Sequence, residues 1–367
     1  MINVFSSFVG IEEFSLIKKS FKKQWLGAGE NVKRFENEFS NYRNIKNFLM
    51  VDNATNGLFL ACKLLNLELN SEIILPSFTC IACAQAIKMA GLIPVFCDVD
   101  YKTQNITIEH ILPHITKNTK AIMVVHYAGL PVDIDPILNL GYPVIEDAAH
   151  AVVSSYKNKS CGALGEIGVF SFDPIKNLSS CEGGGMFFKD EKLLKQAINM
   201  RLCGVGSSGL QRMKSEESMW WEDHADNIFI KSYPNDISAA IALAQLEKLN
   251  ILQTRRKNIW NYYKSVFSKY HFIELPAEPD GDNKHSYFTF CIRVPKRNLL
   301  AHFLLAHNVY TTLRFFPIHL NRYYYTSNHK LPNCEKLAEF ALNIPLHPNL
   351  SDRDINYIVD NIIKFFT

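Results

Sequence analysis

The stretch GVFSFDPIKNLSSCEGGGMFF, Gly168 to Phe188, reads as a short apolar strand, a polar turn holding one lysine, a glycine triplet and a second apolar strand. Lysine ordinarily sits on a solvated surface, yet Lys176 stands between two segments whose composition belongs in a core. Two strands joined by a turn predict an antiparallel edge on a larger sheet. That sheet is legible upstream. NFLMV (47–51), EIILP (72–76), IPVFCDVD (93–100), AIMVVHYAG (121–129) and YPVIEDAAH (142–150) are strand-like, and helical patterns at 58–67 and 80–90 separate the first of them. Strands alternating with helical crossovers predict a mostly parallel, doubly wound α/β sheet. Ahead of it, NVKRFENEFSNY (31–42) places Val32, Phe35, Phe39 and Tyr42 on one helical face.

Downstream, residues 203–229 mix glycine, charge and aromatic residues without a period and read as a long functional loop. DISAAIALAQLEKLN (236–250) is a helix of good formers, and a second, amphipathic helix begins at 251 as the passage to another domain. A strand at 287–294, a helix from 297 and a final helix capped by Ser351 and Asp354 make that part α+β. The expected division is a large domain, 1–250, and a smaller one, 251–367.

Composition narrows the function. The chain has 367 residues, 47% hydrophobic, with a formal charge of +3. A nucleic-acid binder would ordinarily carry a clustered basic excess, so that class is set aside. No segment reaches the ~18 uninterrupted apolar residues of a membrane span, and the N-terminus has no basic-then-apolar secretory pattern. Nine irregularly spaced cysteines suggest a reducing, cytoplasmic setting. The single C-x-x-C, Cys80 and Cys83, has no second pair to complete a metal site and reads as part of a packed helix.

In open α/β sheets ligands bind beyond the carboxyl ends of the parallel strands. Three polar clusters fall there. DNATNG (52–57) opens a helix, where free N–H groups and the helix dipole attract anions, although neither a P-loop nor a Rossmann glycine pattern is present. IEDAAHA brings Glu146 and Asp147 to a strand end, with His150 one helical turn on. The opening stretch adds Ser171 and Lys176. Each cluster alone has an ordinary reading, as a cap, a satisfied core histidine or a turn lysine. Together they supply an anion cradle, a buried acid and an amine, which are the needs of pyridoxal phosphate. A lysine in a low-dielectric site loses its proton readily and becomes a nucleophile for carbonyl compounds.

These residues carry a resemblance. EIILPSFTCIACAQAI (72–87), VVHYAGLPVDID (124–135), VIEDAAHAVVSSYKNKSCGALGEIGVFSFDPIKNLSSCEGGGM (144–186), DISAAIALAQLEKL (236–249) and LNIPLHPNLSDRDINYI (342–358) resemble the DegT/DnrJ/StrS group of pyridoxal-phosphate sugar aminotransferases, which have the aspartate-aminotransferase fold (fold type I). The similarity runs along nearly the whole chain, and EDAAH followed by FSFDPIKNL and a glycine pair is its most specific part. It implies a seven-stranded-type, mostly parallel sheet flanked by helices, plus a smaller C-terminal α+β domain.

By the same resemblance, Lys176 bonds the cofactor and moves the proton in transamination, Asp147 pairs with the pyridine nitrogen, and His150 contacts the ring hydroxyl. Thr55, Asn56 and Ser171 fall where relatives hold the phosphate. Lys231 matches a position reaching the phosphate from a neighbouring subunit, which implies a homodimer with shared active sites. Arg314 and His319 fall near the substrate mouth, with a salt-bridged strand arginine as the alternative for Arg314. Trp220, Trp221 and His224 in the long loop are further candidates for contact with the sugar or nucleotide. Cys80 stands where relatives commonly place a stacking aromatic, a loss of ring area for which Phe78 is the nearby candidate, and Ala54 replaces a common glycine. The implied reaction moves the amino group of L-glutamate to a nucleotide-linked ketosugar, with deoxythymidine-linked 4-keto- or 3-keto-6-deoxyhexoses leading. The product would serve bacterial polysaccharides, O-antigen and lipopolysaccharide among them, or secondary metabolites. Two alternatives are a sugar dehydratase, which characteristically has histidine in place of the lysine, and a regulator that binds the cofactor without turnover.

Overall fold

The computed structural model describes residues 1–207, 212–213, 219, 221–325 and 330–367. Trp220 lies outside them. Two helices open the chain, α1 (Ile11–Lys22) and α2 (Glu30–Arg43), and lead into β1 (Phe48–Val51) and α3 (Ala54–Leu64). Then come β2 (Glu72–Pro76), α4 (Ile81–Met89), β3 (Ile93–Cys97), β4 (Thr119–Val125) and β5 (Val144–Asp147). A small ladder of β6 (Ser155–Tyr156) and β7 (Lys159–Ser160) precedes β8 (Ile167–Ser171) and β9 (Gly184–Phe188). The seven-stranded sheet runs β1-β9-β8-β5-β4-β2-β3. Its centre is parallel, and β9 is antiparallel to both β8 and β1.

The strand pair at 167–188 is therefore not the edge of the sheet: β1 covers it. Glycine makes that possible by close approach. A Cβ on Gly185 would lie 2.3 Å from the Phe48 ring, and one on Gly184 would lie 2.6 Å from the Asn53 backbone. None of the three glycines at 183–185 has a positive φ, so they admit neighbours rather than make a turn.

On one face, Phe35 and Phe39 of α2 meet Phe48, Phe170 and Phe172, with ring centroids 4.6–6.3 Å apart. Burial of each such ring is worth roughly 1.5–3 kcal/mol, which fixes α2 on the sheet. Val32 joins them, but Tyr42 does not: it faces outward and bonds Asn250. Arg43, one residue on, is the buried one.

The two helices expected around residue 250 are one, Asp236–Phe267, 32 residues long. Its first half packs under the sheet with Ala239, Leu243 and Leu246. Its second half places Ile259, Trp260, Tyr263 and Phe267 in a separate cluster with β10 (Phe290–Arg293) and β11 (Ala341–Ile344). Good helix formers continue across the junction with no proline or glycine to stop them. The Ser351–Asp354 capping box opens the last helix, Asp352–Phe366.

Candidate active site

At the carboxyl end of the sheet, β5 stops at Asp147 and β8 at Ser171, while α3 and α4 begin nearby. Their side chains line one cavity with Thr55, Cys80, His150, Lys176, Arg314 and Phe315. The strand pleat separates the two adjacent acids. Asp147 faces the cavity. Glu146 points away and accepts from His126 Nε2 and from the N–H groups of Gly162, Leu164 and Gly165. It stitches the loop before β8.

Asp147 is held from two sides. Ala149 N–H donates to Oδ1 at 2.9 Å, and Cys83 Sγ–H donates to Oδ2 at 3.1 Å. A carboxylate has about four lone-pair sites, so capacity remains toward the cavity.

The position of Lys176 follows from its turn. Asp173 accepts from the Ile175 and Lys176 N–H groups, while Asn177 donates to the Ser286 carbonyl and to Gln253. Polar neighbours therefore satisfy the turn while the lysine projects into the cavity. Its Nζ lies 4.9 Å from the Phe288 ring centre and has no ion pair among the described residues. Burial pushes the ammonium below its ordinary range, against the opposing charge of Asp147. This favours the free amine.

His150 is clamped between aromatic rings: Phe288 at 4.1 Å and 13°, Phe315 at 5.8 Å and 6°. Burial, then the charges of Lys176 and Arg314, hold it well below the ordinary histidine range and keep it neutral. Its Nδ1 is buried without a hydrogen-bond partner.

At the start of α3, Asn53 caps the helix by accepting from Asn56 N–H. Asn56 Nδ2 donates to Asp52 instead of reaching the cavity. Thr55 lines the cavity, and the first N–H groups of the helix have no acceptor within it. Ser171 stands opposite at the end of β8. Cys80 lines the wall as the cap residue of α4. Phe78 does not stand in for an aromatic there, because it is buried against Tyr127 at 5.2 Å.

Arg314 lies in the cavity wall, outside any strand, with its guanidinium 4.3 Å from the Phe5 ring centre. It has no carboxylate partner among the described residues, so the salt-bridged strand reading fails. Its Nε is buried without an acceptor. His319 is elsewhere: buried, with Nδ1 2.6 Å from Ser77 Oγ and Nε2 3.6 Å from Glu335. It pins the residue ahead of α4 and does not line the cavity. Lys231 is exposed and outside its own chain's cavity, although neighbouring Ser232 donates to Asp52 at the foot of α3. Trp221 and His224 are exposed and also lie outside the cavity. The sequence reading missed Cys83, Phe288 and Phe315. Cys83 lies in a helix as its surroundings in the sequence predict, but helical packing gives no sign of what its thiol faces.

A model of the DegT/DnrJ/EryC1/StrS aminotransferase family matches residues 9–363. The chain belongs to that family and is a pyridoxal-phosphate-dependent aminotransferase. It is 33% identical to a Saccharopolyspora spinosa protein described as dTDP-4-dehydro-2,3,6-trideoxy-D-glucose 4-aminotransferase, covering 99% of this chain and 96% of the relative. Among solved structures, the aminotransferase TlmJ from Streptoalloteichus hindustanus superposes with a TM-score of 0.92 at 33% identity, over 99% of this chain and 98% of that one. The putative sugar aminotransferase Spr1654 from Streptococcus pneumoniae, in its PMP form, gives 0.92 at 25% identity, over 98% of each chain. The cavity suits the cofactor on its own evidence. It offers a neutral imidazole whose Nδ1 is buried without a hydrogen-bond partner, a carboxylate with free lone pairs, an amine without an ion pair among the described residues, and the first turn of a helix beside Thr55.

Proposed function

We propose that the chain transfers the amino group of L-glutamate to the keto carbon of a nucleotide-linked deoxysugar, with a deoxythymidine-linked 4-keto-6-deoxyhexose leading and the 3-keto isomer next. The observation that carries this reading is the gathering of Lys176, Asp147, neutral His150 and Arg314, which has no carboxylate partner among the described residues, around one cavity. The name of the Saccharopolyspora relative, a 4-aminotransferase of a dTDP-linked 4-dehydro sugar, supports that choice of acceptor. The amino sugar would enter bacterial polysaccharides or secondary metabolites.

Pyridoxal phosphate, when bound, supplies the aldehyde that captures an amine and a ring that withdraws electrons from the bond being broken. The rest is work for the chain. Asp147 accepts the ring N–H and keeps the nitrogen protonated. His150 meets the ring hydroxyl through Nδ1. Thr55, Ser171 and the start of α3 hold the phosphate, and Asn56 shapes that turn through Asp52. Lys176 Nζ would take the proton from the donor Cα and release it to the cofactor's aldehyde carbon in the first half-reaction, then carry a proton in the reverse sense onto the former keto carbon of the sugar in the second, a task for which a lowered pKa suits it. Arg314 binds the donor carboxylate as a fork of N–H groups. Cys80 packs at the ring where an aromatic would otherwise lie.

The reading includes a homodimer in which Lys231 of one copy reaches the phosphate site of the other. Exposed Phe14, Phe21, Trp25 and Leu26 near α1, and Ile228 beside Lys231, give apolar surface for that contact. The separate cluster that the second half of the long helix makes with β10 and β11 supports a smaller domain over 251–367 joined by that helix to a large one over 1–250. All nine cysteines are free, which favours a reducing compartment such as the cytoplasm. No described helix is long and apolar enough to cross a membrane.

The test is spectroscopic and chemical. Cofactor-loaded protein should lose the visible absorbance of its lysine-bound form on addition of L-glutamate, and a panel of nucleotide ketosugars should restore it with a product of amino-sugar mass. Lys176→Ala should lack the initial absorbance. Equal turnover by that variant would overturn the assignment, and a wild-type protein indifferent to glutamate would remove the donor.

A further inference from the structure

Cys83 lies in the first turn of α4, fully buried, and no step above uses it. Its Sγ is 3.1 Å from Asp147 Oδ2 and 3.5 Å from Thr79 Oγ1. Thr79 itself lines the cavity. A buried cysteine that merely fills space has no reason to aim at a carboxylate. This one reaches from the helix after β2 to the acid that ends β5, across the sheet order.

We propose that Cys83 is a positioning residue for the cofactor's ring nitrogen: its S–H, given to Asp147 Oδ2, fixes the plane of the carboxylate whose remaining lone pairs face that nitrogen. The inference rests on the reading of Asp147 as the nitrogen's partner. Ala149 N–H fixes the other oxygen, so the two donors between them leave the carboxylate no free rotation. Thr79 Oγ1 sets the rotamer of the thiol. The sulfur acts as a donor because it keeps its proton. Burial first, and then the charge of Asp147, push the Cys83 thiol well above its ordinary range.

The position is thus polar in function although apolar in character. Valine would fill the volume without a donor, alanine would leave both a gap and a missing donor, and serine would return a hydroxyl donor. Loss of a hydrogen bond to a charged group should weaken cofactor binding about tenfold.

The experiment uses the full chain loaded with pyridoxal phosphate labelled with 15N in the ring. It compares wild type, Cys83→Ala, Cys83→Val, Cys83→Ser and Asp147→Asn by the nitrogen chemical shift and by the cofactor dissociation constant. The expected result is a shift toward the unprotonated nitrogen and about tenfold weaker binding in both the alanine and valine variants, with serine close to wild type. Wild-type values in the valine variant, or failure of serine to restore them, would show that Cys83 only packs and would overturn the proposal. An unchanged nitrogen signal in Asp147→Asn would instead remove the reading on which it stands, and the proposal with it.

Discussion

In an Arg314→Gln variant the cavity loses its guanidinium, while the backbone carbonyl that accepts from Tyr127 Oη stays in place. The guanidinium touches aromatic faces and no carboxylate among the described residues, and its Nε has no acceptor. Removing it therefore leaves no buried acid stranded. A hydrogen bond to a charged group contributes about 1.5–3 kcal/mol. At about 1.4 kcal/mol per factor of ten, losing one to the donor carboxylate weakens glutamate binding about tenfold to a hundredfold. Stability should hold or rise, because a buried cation without a partner is itself costly. The assay titrates the cofactor-loaded variant with L-glutamate and follows the absorbance of the lysine-bound form. The half-saturating concentration should rise by that factor, with the unfolding temperature unchanged or higher. Arg314→Lys should fall between, since it keeps the charge but not the fork. Wild-type half-saturation combined with a lowered unfolding temperature would refute the argument and make Arg314 a packing residue.

Two further outcomes bear on assembly and on pH. If Lys231 serves the neighbouring copy, inactive Lys176→Ala and Lys231→Ala proteins should regain roughly a quarter of wild-type activity when dissociated and remixed, because half the dimers are mixed and each has one intact site; no recovery would place Lys231 outside the site. His285 is buried against Trp260 and Tyr287, and burial lowers its pKa from 6.5 to about 3. The unfolded chain then binds the proton that the folded chain refuses, so stability falls as pH drops below 6.5. His285 should account for about 2 kcal/mol of the loss by pH 5, a loss that is absent in a folded His285→Gln variant and measurable by chemical denaturation.

Much of the site could be read from residue types, and the reasons for the misses are specific. Asp147, Ser171 and Lys176 sit at strand ends or in a turn between strands, where topology dictates which way they face. That made them legible together even though each alone had an ordinary explanation. Arg314 and His319 were inseparable by sequence, being five residues apart in one irregular segment. Packing decides between them, since Ser77 takes the histidine into the interior while no carboxylate among the described residues neutralises the arginine. Asn56 looked like an anion ligand because of its place at a helix start, but Asn53 and Asp52 use its donors first. Cys83 and the aromatic plates around His150 depend on contacts between segments far apart in the chain, which no local period encodes. The sheet order departs from the sequence expectation at one point for a similar reason. The glycines that admit Phe48 over β9 also look like those of a tight turn.

The clamped imidazole has a mechanical meaning. His150 sits in the turn just after β5, whereas Phe288 and Phe315 come from the segment beyond the long helix. The ring is therefore a gauge of how closely the two parts are seated. A substitution that removes either plate, such as Phe288→Ala, would let water reach the imidazole and return its proton affinity toward the ordinary value.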